Sequence, residues 1–217
     1  WFVGIVGPTG AGKSSLMSLL LRFYDPNEGD VLLDGVPIPS LAQDALHRFV
    51  GIVHQEVHLF TGTIRDNIRM FRSDISDARV EEAARAVGAD RVIAKLPDGY
   101  DTFIYGRGAN LSMGERQLIA FARIVALDPR VLILDEATAN LDSQTEQWVQ
   151  QGLRAASQGR TTLVIAHRLA TIRHADQILV LDHGRIVERG RHDELVRLGG
   201  LYARLHAESG VESRLFS

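Results

Sequence analysis

A glycine-rich stretch near the start of the chain ends in a lysine and two serines, which are residue types that suit phosphate binding. The sequence "GPTGAGKSS" at residues 7–15 matches the pattern G-x-x-x-x-G-K-[ST]. Glycine lets the backbone come close to phosphate oxygens and turn several N–H groups toward them. The pattern assigns Lys13 to the β- and γ-phosphates and the hydroxyl of Ser14 to a Mg²⁺ ion.

The surroundings of this stretch agree with a phosphate-binding loop. It lies between the apolar run "WFVGIV" (1–6), which predicts a buried strand, and a helix expected to begin near Lys13. Such a helix turns the positive end of its dipole toward a bound anion. A chance match has a probability on the order of 1% in a chain of this length. The candidate phosphate-binding residues are Gly7, Pro8, Thr9, Gly10, Ala11, Gly12, Lys13, Ser14 and Ser15.

Two adjacent carboxylates follow a second apolar run, "VLILDE" at residues 131–136. Ligands of open α/β sheets bind beyond the carboxyl ends of the strands. Asp135 is therefore placed to hold Mg²⁺ through water, and Glu136 is placed to accept a proton from an attacking water. The alternative is a strand that simply ends in exposed acids, and the phosphate-binding pattern earlier in the chain favours the functional interpretation.

The elements that must position these residues alternate between two periodicities. Short apolar, β-branched runs predict strands, and segments with a 3.6-residue period between them predict helices. This alternation predicts an α/β fold with a mostly parallel sheet covered on both faces. The Asp-Gly step in "GDVLLDGVPI" (29–38) predicts a small antiparallel hairpin. Residues 56–127 show little strand signal and are predicted to form an inserted helical subdomain, whose strongest helix, 111–127, has Ser112 as its N-cap.

Composition and charge exclude several other classes of protein. The chain has 217 residues and a formal net charge of -3, which argues against nucleic acid as the main partner. It has no cysteine, so disulfides and thiolate metal sites are excluded. No apolar run reaches the roughly 18 residues that span a bilayer, and the start lacks the features of a signal peptide. Because the first residues already have the character of a strand, we expect the chain to be part of a longer protein.

Additional motifs give the chain a resemblance to the ATP-binding cassette (ABC) ATPases. "LSMGE" is similar to the LSGGQ signature of that family, and it precedes the Asp-Glu strand at the family's spacing. "TIRDNI" (63–68) and the segment 167–195 resemble the branch of multidrug and lipid exporters. The resemblance implies a P-loop NTPase fold of the RecA-like kind. The other matching positions are Gln55 of the Q-loop, Asp142 of the D-loop and His167 as the switch histidine.

The resemblance also implies a role for each matching residue. ATP and Mg²⁺ are the expected cofactors, with Ser14, Gln55 and Asp135 around the metal ion. Glu136 would act as general base and His167 would contact the γ-phosphate, so that Glu136, His167 and Gln55 form the catalytic set. The signature would serve a nucleotide held by a neighbouring subunit. Its residues are Leu111, Ser112, Met113, Gly114 and Glu115.

The implied partners are a second ABC domain and a membrane-spanning domain. Two domains facing head to tail would complete two ATP sites, and hydrolysis would release the dimer. Met113 and Glu115 stand where the family usually has Gly and Gln, while Lys13 and Glu136 are intact. This asymmetry resembles one half of a heterodimeric exporter, although such variants also occur in homodimers. The expected location is the cytoplasmic face of the inner membrane.

The resemblance also sets the expected domain organisation. Residues 1–217 would form one ABC ATPase domain, with a catalytic core at 1–55 and 128–200. Residues 56–127 would form the helical signature subdomain, and 201–217 a C-terminal helix and tail. The family's N-terminal strands and transmembrane domain would lie outside this chain. A step that often precedes the signature, Gly-Glu, is replaced by Tyr105-Gly106, so the contact with the membrane domain is expected to differ.

Two other kinds of ABC domain and a zinc site are the alternatives to the exporter interpretation. A non-transport ABC ATPase of DNA repair or translation would carry coiled coils, tandem cassettes or a basic face, and none is evident here. A regulatory cassette that binds ATP without hydrolysis is disfavoured by the intact Glu136 and His167. The third alternative is a zinc site at "HQEVH" (54–58), where the acid stands at the third position and not at the second position that H-E-x-x-H requires.

Overall fold

The computed structural model describes residues 1–135, 142–166 and 169–215, with side chains left undescribed at 143 and 209–215. Within these ranges no helix is both long enough and apolar enough to cross a bilayer. Glu136 and His167, two of the predicted catalytic residues, lie outside the described ranges.

Strands and helices alternate along the described part of the chain, as the sequence predicts. The strands are β1 (Phe2–Val6), β2 (Leu32–Leu33), β3 (Val36–Pro37), β4 (Val50–Val53), β5 (Gly62–Thr63), β6 (Phe103–Ile104), β7 (Val131–Asp135), β8 (Thr161–Ile165), β9 (Gln177–Asp182) and β10 (Arg185–Gly190). The helices are α1 (Lys13–Leu20), α2 (Gln43–Phe49), α3 (Ile64–Arg69), α4 (Asp77–Val87), α5 (Asp90–Ile93), α6 (Met113–Leu127), α7 (Ser143–Ser157), α8 (Leu169–Ile172), α9 (His192–Leu198) and α10 (Leu201–Leu215). Short 3₁₀ turns occur at Ile38–Ser40 and Gly99–Asp101.

The main sheet has six strands in the order β10-β9-β1-β8-β7-β4. β1 pairs in parallel with β8 on one side and with β9 on the other, whereas β10 runs antiparallel to β9. The central strands are apolar almost throughout, because helices cover both faces of a parallel sheet. In β1, four consecutive residues, Val3–Val6, are buried. The sheet confirms the predicted α/β, P-loop NTPase class with a mostly parallel core.

Two short antiparallel pairs accompany the main sheet. β2 pairs with β3 across the Asp34-Gly35 turn, where both residues have positive φ angles, 50° and 80°. These angles are those of the turn that an Asp-Gly step favours, so the predicted hairpin is confirmed. The second pair joins β5 to β6, and it was not predicted from the sequence.

The described residues divide into two compact units. The first contains residues 1–51, 133–135, 161–166 and 169–215, and it includes β1, β8, β9, β10 and α1. The second contains residues 52–132 and 142–160, and it includes the helices α3–α7. The division into units follows spatial proximity alone. The limits of the signature subdomain, residues 56 and 127, therefore remain a prediction.

The second unit is built around the signature helix α6, which packs against α3, α4 and α7. Its buried residues include three alanines, Ala120, Ala122 and Ala126, whose small side chains allow the helices to approach closely. Gly152 in α7 lies at a close approach: a Cβ atom there would lie 3.0 Å from both the Leu118 Cδ2 atom and the Val87 carbonyl oxygen. A glycine inside a helix is normally unfavourable, so this position is explained by packing.

A buried polar network connects α3 to α6 within the same unit. Asn67 is fully buried, and its side-chain amide donates to the carbonyl oxygens of Phe60 and Thr63 at 2.8 and 3.0 Å. Its Oδ1 atom accepts from the Phe60 N–H at 2.7 Å, and its carbonyl oxygen accepts from Arg123 Nε at 2.9 Å. Burial lowers the pKa of Arg123 to about 10. The network therefore provides hydrogen-bond partners for backbone N–H and C=O groups that have no partner in a helix or a strand.

Candidate functional site

Residues 7–12 of the glycine-rich stretch connect β1 to α1, and residues 13–15 form the first turn of α1. Gly10 and Gly12 have φ angles of 79° and 102°, which L-residues with a Cβ atom rarely adopt. Gly12 is the N-cap of α1, and the first intrahelical hydrogen bond runs from the Leu16 N–H to the Gly12 carbonyl oxygen at 3.0 Å. The N–H groups of residues 13–15 therefore have no acceptor within the helix and point out of its N-terminal end, as an anion site requires.

Lys13 is the residue that follows the loop, and its side chain folds back across the loop. Its ammonium group donates to the carbonyl oxygens of Gly7 and Pro8, at 2.6 and 2.9 Å. Burial lowers the pKa of Lys13 below its usual value, and the carboxylate of Asp135 partly opposes this shift. The loop thus holds a half-buried positive charge beside the helix N-terminus. A phosphate anion placed there would offset the electrostatic cost of burying that charge.

The end of β7 provides the carboxylate that acts on this ammonium. Leu132, Ile133 and Leu134 are buried, and Asp135, the last residue of the strand, is half-buried. The Asp135 carboxylate is a Coulomb partner of the Lys13 ammonium and raises its pKa, and both residues belong to the first unit.

The donor set near the loop fits a magnesium ion. Mg²⁺ prefers oxygen ligands and is usually bound through one or two carboxylates plus the phosphates of a substrate. Asp135 offers a carboxylate, and Ser14 offers an exposed hydroxyl that makes no side-chain hydrogen bond with the residues described. Both residues belong to the first unit. An ion held by these two would complete its coordination with phosphate oxygens and water.

The predicted base and switch histidine occupy positions 136 and 167, outside the described residues. The structure does describe the chain that leads to them. β7 ends at Asp135, and the residue after β8, Ala166, donates its N–H to the Ile5 carbonyl oxygen at 3.0 Å. The catalytic roles of Glu136 and His167 remain predictions from the sequence.

The signature segment begins helix α6 as predicted, with Ser112 as the N-cap. The Ser112 hydroxyl accepts the Glu115 N–H at 3.3 Å, and the Glu115 carboxylate accepts the Ser112 N–H at 2.8 Å. This reciprocal capping box gives Glu115 a local partner that sequence reasoning missed. Its signal was the Ser-x-x-Glu spacing itself. Of the other signature residues, Leu111 and Gly114 are buried and Met113 is 38% exposed.

Arg116 is a second residue in this region that sequence reasoning missed. Its Nη1 atom donates to the carbonyl oxygens of Gly108 and Leu111, at 3.2 and 2.6 Å. Gly108 has a φ angle of 89°, and a Cβ atom there would lie 2.8 Å from the Arg116 Cδ atom. The arginine therefore fixes the backbone that approaches the signature helix. No local sequence pattern predicts this contact.

Gln55 and Asp142 lie in the second unit, together with the signature. Gln55 is exposed and follows the end of β4 by two residues. Asp142 is the N-cap of α7, and its Oδ1 atom accepts the N–H groups of Gln144 and Thr145 at 3.1 and 3.0 Å. Hydrogen bonds from the side chain and backbone of Thr145 lower the pKa of Asp142 below its usual value. Asp142 thus has a structural role in addition to its predicted D-loop role.

Comparisons with known proteins agree with this geometry. The sequence profile described as "ABC transporter" matches residues 1–139. The chain is 51% identical over 204 residues to the "Probable multidrug resistance ABC transporter ATP-binding/permease protein YheH" of Bacillus subtilis, covering 94% of this chain and 30% of that protein. It is 49% identical over 204 residues to the "ATP-dependent lipid A-core flippase" of Burkholderia orbicola, covering 94% of this chain and 34% of the flippase.

A solved structure resembles the chain to the same degree. It is described as "Structure of a bacterial Atm1-family ABC exporter with ATP bound", and it superposes with a TM-score of 0.88 at 48% identity over 95% of this chain. The match covers 36% of that exporter chain, so this chain spans about a third of the length of the relatives it matches. The fold, the order of the motifs, and identities near 50% lead to one conclusion. This chain belongs to the ABC transporter family, in which it forms the ATP-binding ATPase domain.

Proposed function

We propose that this domain hydrolyses ATP to drive export across a membrane. The observation that carries the nucleotide part is Lys13, whose half-buried ammonium is held by two loop carbonyls beside the open N-terminus of α1. The names of the relatives, a multidrug resistance transporter and a lipid A-core flippase, support the export part. In this proposal a membrane-spanning domain receives the energy and holds the ATPase domain at the cytoplasmic face.

The reaction assigns a role to each site residue. Residues 7–15 bind the phosphates, and Ser14 and Asp135 hold Mg²⁺. The metal ion neutralises charge that develops on the phosphate oxygens. Glu136 takes a proton from the attacking water, whose oxygen bonds to the γ-phosphorus. The bond between the γ-phosphorus and the β–γ bridging oxygen breaks, and ADP and phosphate leave. His167 contacts the γ-phosphate.

The export function is tested in proteoliposomes that contain the complete transporter, with an NBD-labelled phospholipid and Hoechst 33342 as probes. Movement of at least one probe should require hydrolysable ATP. The Glu136→Gln variant should move neither probe, because it lacks the base. A transporter that hydrolyses ATP while both probes stay in place would contradict export of lipid or apolar cationic cargo.

We further propose that the domain acts as a dimer in which each signature serves the partner's nucleotide. The Ser112–Glu115 capping box fixes the N-terminus of α6, whose hydroxyl and N–H groups could then address a phosphate held by another subunit. Met113 and Glu115 depart from the usual signature residues, while the phosphate loop is intact. This combination favours a heterodimer over a homodimer.

A mixing experiment tests this asymmetry. A copy carrying Met113→Gly, Glu115→Gln and Glu136→Gln has a restored signature but no base, so it should be inactive alone. Mixed with the wild-type chain, it should raise ATP turnover above that of the wild-type chain alone by about fivefold, the equivalent of one recovered hydrogen bond. The matched control is a copy carrying Glu136→Gln alone. Equal turnover in the two mixtures would show that the native signature is not the weak half.

A further inference from the structure

The turn between β9 and β10 lies directly behind the phosphate loop. The N–H group of Gly184, in this turn, donates to the carbonyl oxygen of Ala11 at 2.9 Å. A Cβ atom added to Gly12 would lie 3.3 Å from the Gly184 Cα atom. Within β9, the Leu181 carbonyl oxygen occupies the space that a Cβ atom on Gly7 would need. The hairpin therefore contacts the loop at its beginning and at its end.

The geometry of the hairpin fixes where this N–H group points. Asp182 and Arg185 pair across a two-residue turn in which His183 and Gly184 have φ angles of 45° and 74°. Two successive positive φ angles define the tight turn that matches the twist of paired strands. Because the turn is short and β9 is a buried strand of the main sheet, the Gly184 N–H is held in one position.

The hydrogen bond to Ala11 has a consequence on the opposite side of the same peptide group. The carbonyl group of Ala11 and the N–H group of Gly12 belong to one planar trans peptide unit, so they point in opposite directions. Since the Gly184 N–H holds the carbonyl oxygen toward the hairpin, the Gly12 N–H must point away from it, to the other side of the loop. Accepting a hydrogen bond also polarises the peptide and makes its N–H group a better donor.

Ala11 itself keeps this peptide plane from drifting. Its side chain is 2% exposed and packs in a cluster with Ile5, Ile165 and Leu181, so the residue that carries the accepting carbonyl is anchored in the core. The backbone on the other side of the plane, at Gly12, has a φ angle of 102° and no side chain to restrain it. An external hydrogen bond is thus needed to select one orientation of the Ala11–Gly12 peptide.

We propose that Gly184 is a positioning residue for nucleotide binding, which orients the Gly12 N–H toward the phosphates through the Ala11 carbonyl. The proposal rests on the phosphate-binding role of residues 7–15. Packing does not explain Gly184, because nothing lies within 4 Å of a Cβ atom placed there. What demands glycine at this position is the φ angle of 74°, and hence the turn that presents the N–H group.

The test compares two glycines that carry the same backbone penalty. Gly184→Val should distort the turn, since a β-branched residue strongly resists a positive φ angle. Gly199→Val is the matched control: Gly199 has a φ angle of 70°, caps α9 and also has open space around a Cβ atom. His183→Asn should retain the turn, because asparagine tolerates this conformation well. ATP and ADP affinities are measured by titration in the full chain, and melting temperatures by calorimetry.

We expect Gly184→Val to weaken the binding of both nucleotides by about tenfold, as for the loss of one hydrogen bond to a charged group. Gly199→Val should lower the melting temperature to a similar extent and leave both affinities unchanged, and His183→Asn should bind as the wild type does. Equal affinities in the two valine variants would overturn the proposal. If Gly184→Val does not fold, the alanine pair Gly184→Ala and Gly199→Ala gives the same comparison. Lys13→Met distinguishes the positioning role of Gly184 from the phosphate-binding role of residues 7–15. If Lys13→Met does not weaken nucleotide binding, the phosphate-binding role itself is wrong.

Discussion

Replacing Lys13 with methionine is expected to weaken ATP binding by about a hundredfold, while the fold is retained. The ammonium group lies within the phosphate loop and donates to the Gly7 and Pro8 carbonyl oxygens at 2.6 and 2.9 Å. Removing a partly buried, hydrogen-bonded charge that faces an anion costs roughly 2–5 kcal/mol, and each 1.4 kcal/mol is about tenfold in affinity. Titration with a fluorescent ATP analogue measures the loss.

Stability should change little in this variant because two effects oppose each other. Burial lowers the pKa of Lys13, which shows that its positive charge is unfavourable in the folded loop without a bound anion. Methionine has a similar length and removes this cost, although it leaves two carbonyl oxygens without a donor. We therefore expect the melting temperature of this variant to stay close to that of the wild type.

The control for Lys13→Met is the only other lysine of the chain, Lys95. Its ammonium group lies 5.5 Å from the centre of the Trp148 ring, in the second unit. Lys95→Met removes the same charge without touching the loop, and ATP affinity should be unchanged. If the two methionine variants bind ATP equally, Lys13 has no phosphate-binding role and the proposed site fails at its centre.

Replacing Glu136 with glutamine is expected to lower the ATP turnover by about 10²–10³-fold, while ATP binding remains intact. A carboxamide has nearly the same shape as the carboxylate but cannot take the proton of the attacking water, and general base catalysis contributes factors of this size. With hydrolysis blocked and ATP retained, the variant should accumulate as a closed dimer. Phosphate release gives the rate, and sedimentation with ATP gives the oligomeric state.

A surface carboxylate on α4 serves as the control for Glu136→Gln. Glu82 is exposed and pairs with Arg79 at 2.9 Å, so Glu82→Gln makes the same chemical change away from the nucleotide. Its turnover should equal that of the wild type. An unchanged steady-state rate in Glu136→Gln would remove this residue from the role of base and would leave His167 as the next candidate to vary.

Local sequence patterns predicted those parts of the fold that depend on neighbouring residues. A β-branched apolar run became β1, and the Asp-Gly step became a hairpin with two positive φ angles. Ser112 was predicted as an N-cap, and its hydroxyl accepts a backbone N–H group. In each case the determining interaction spans a few residues, so its spacing can be read directly along the chain.

The candidate site could be predicted residue by residue, but its internal arrangement could not. The pattern G-x-x-x-x-G-K-[ST] identified Lys13 and Ser14, and an apolar run ending in acids identified Asp135. The pattern did not say that Lys13 donates to the Gly7 and Pro8 carbonyl oxygens, or that its charge is half-buried. Those facts depend on the path of the loop backbone. The motif specifies residue types at given positions and does not specify that path.

The sequence by itself therefore determined the α/β class, the order of the motifs and the residue types available for ATP chemistry. The tertiary structure decided contacts between residues far apart in the chain. Gly184 supports Ala11 across more than 170 positions, Arg123 supports Asn67, and Gly152 permits the close approach of α7 to α6. Such contacts carry no local period, because they arise only when the sheet order and the helix packing bring distant segments together.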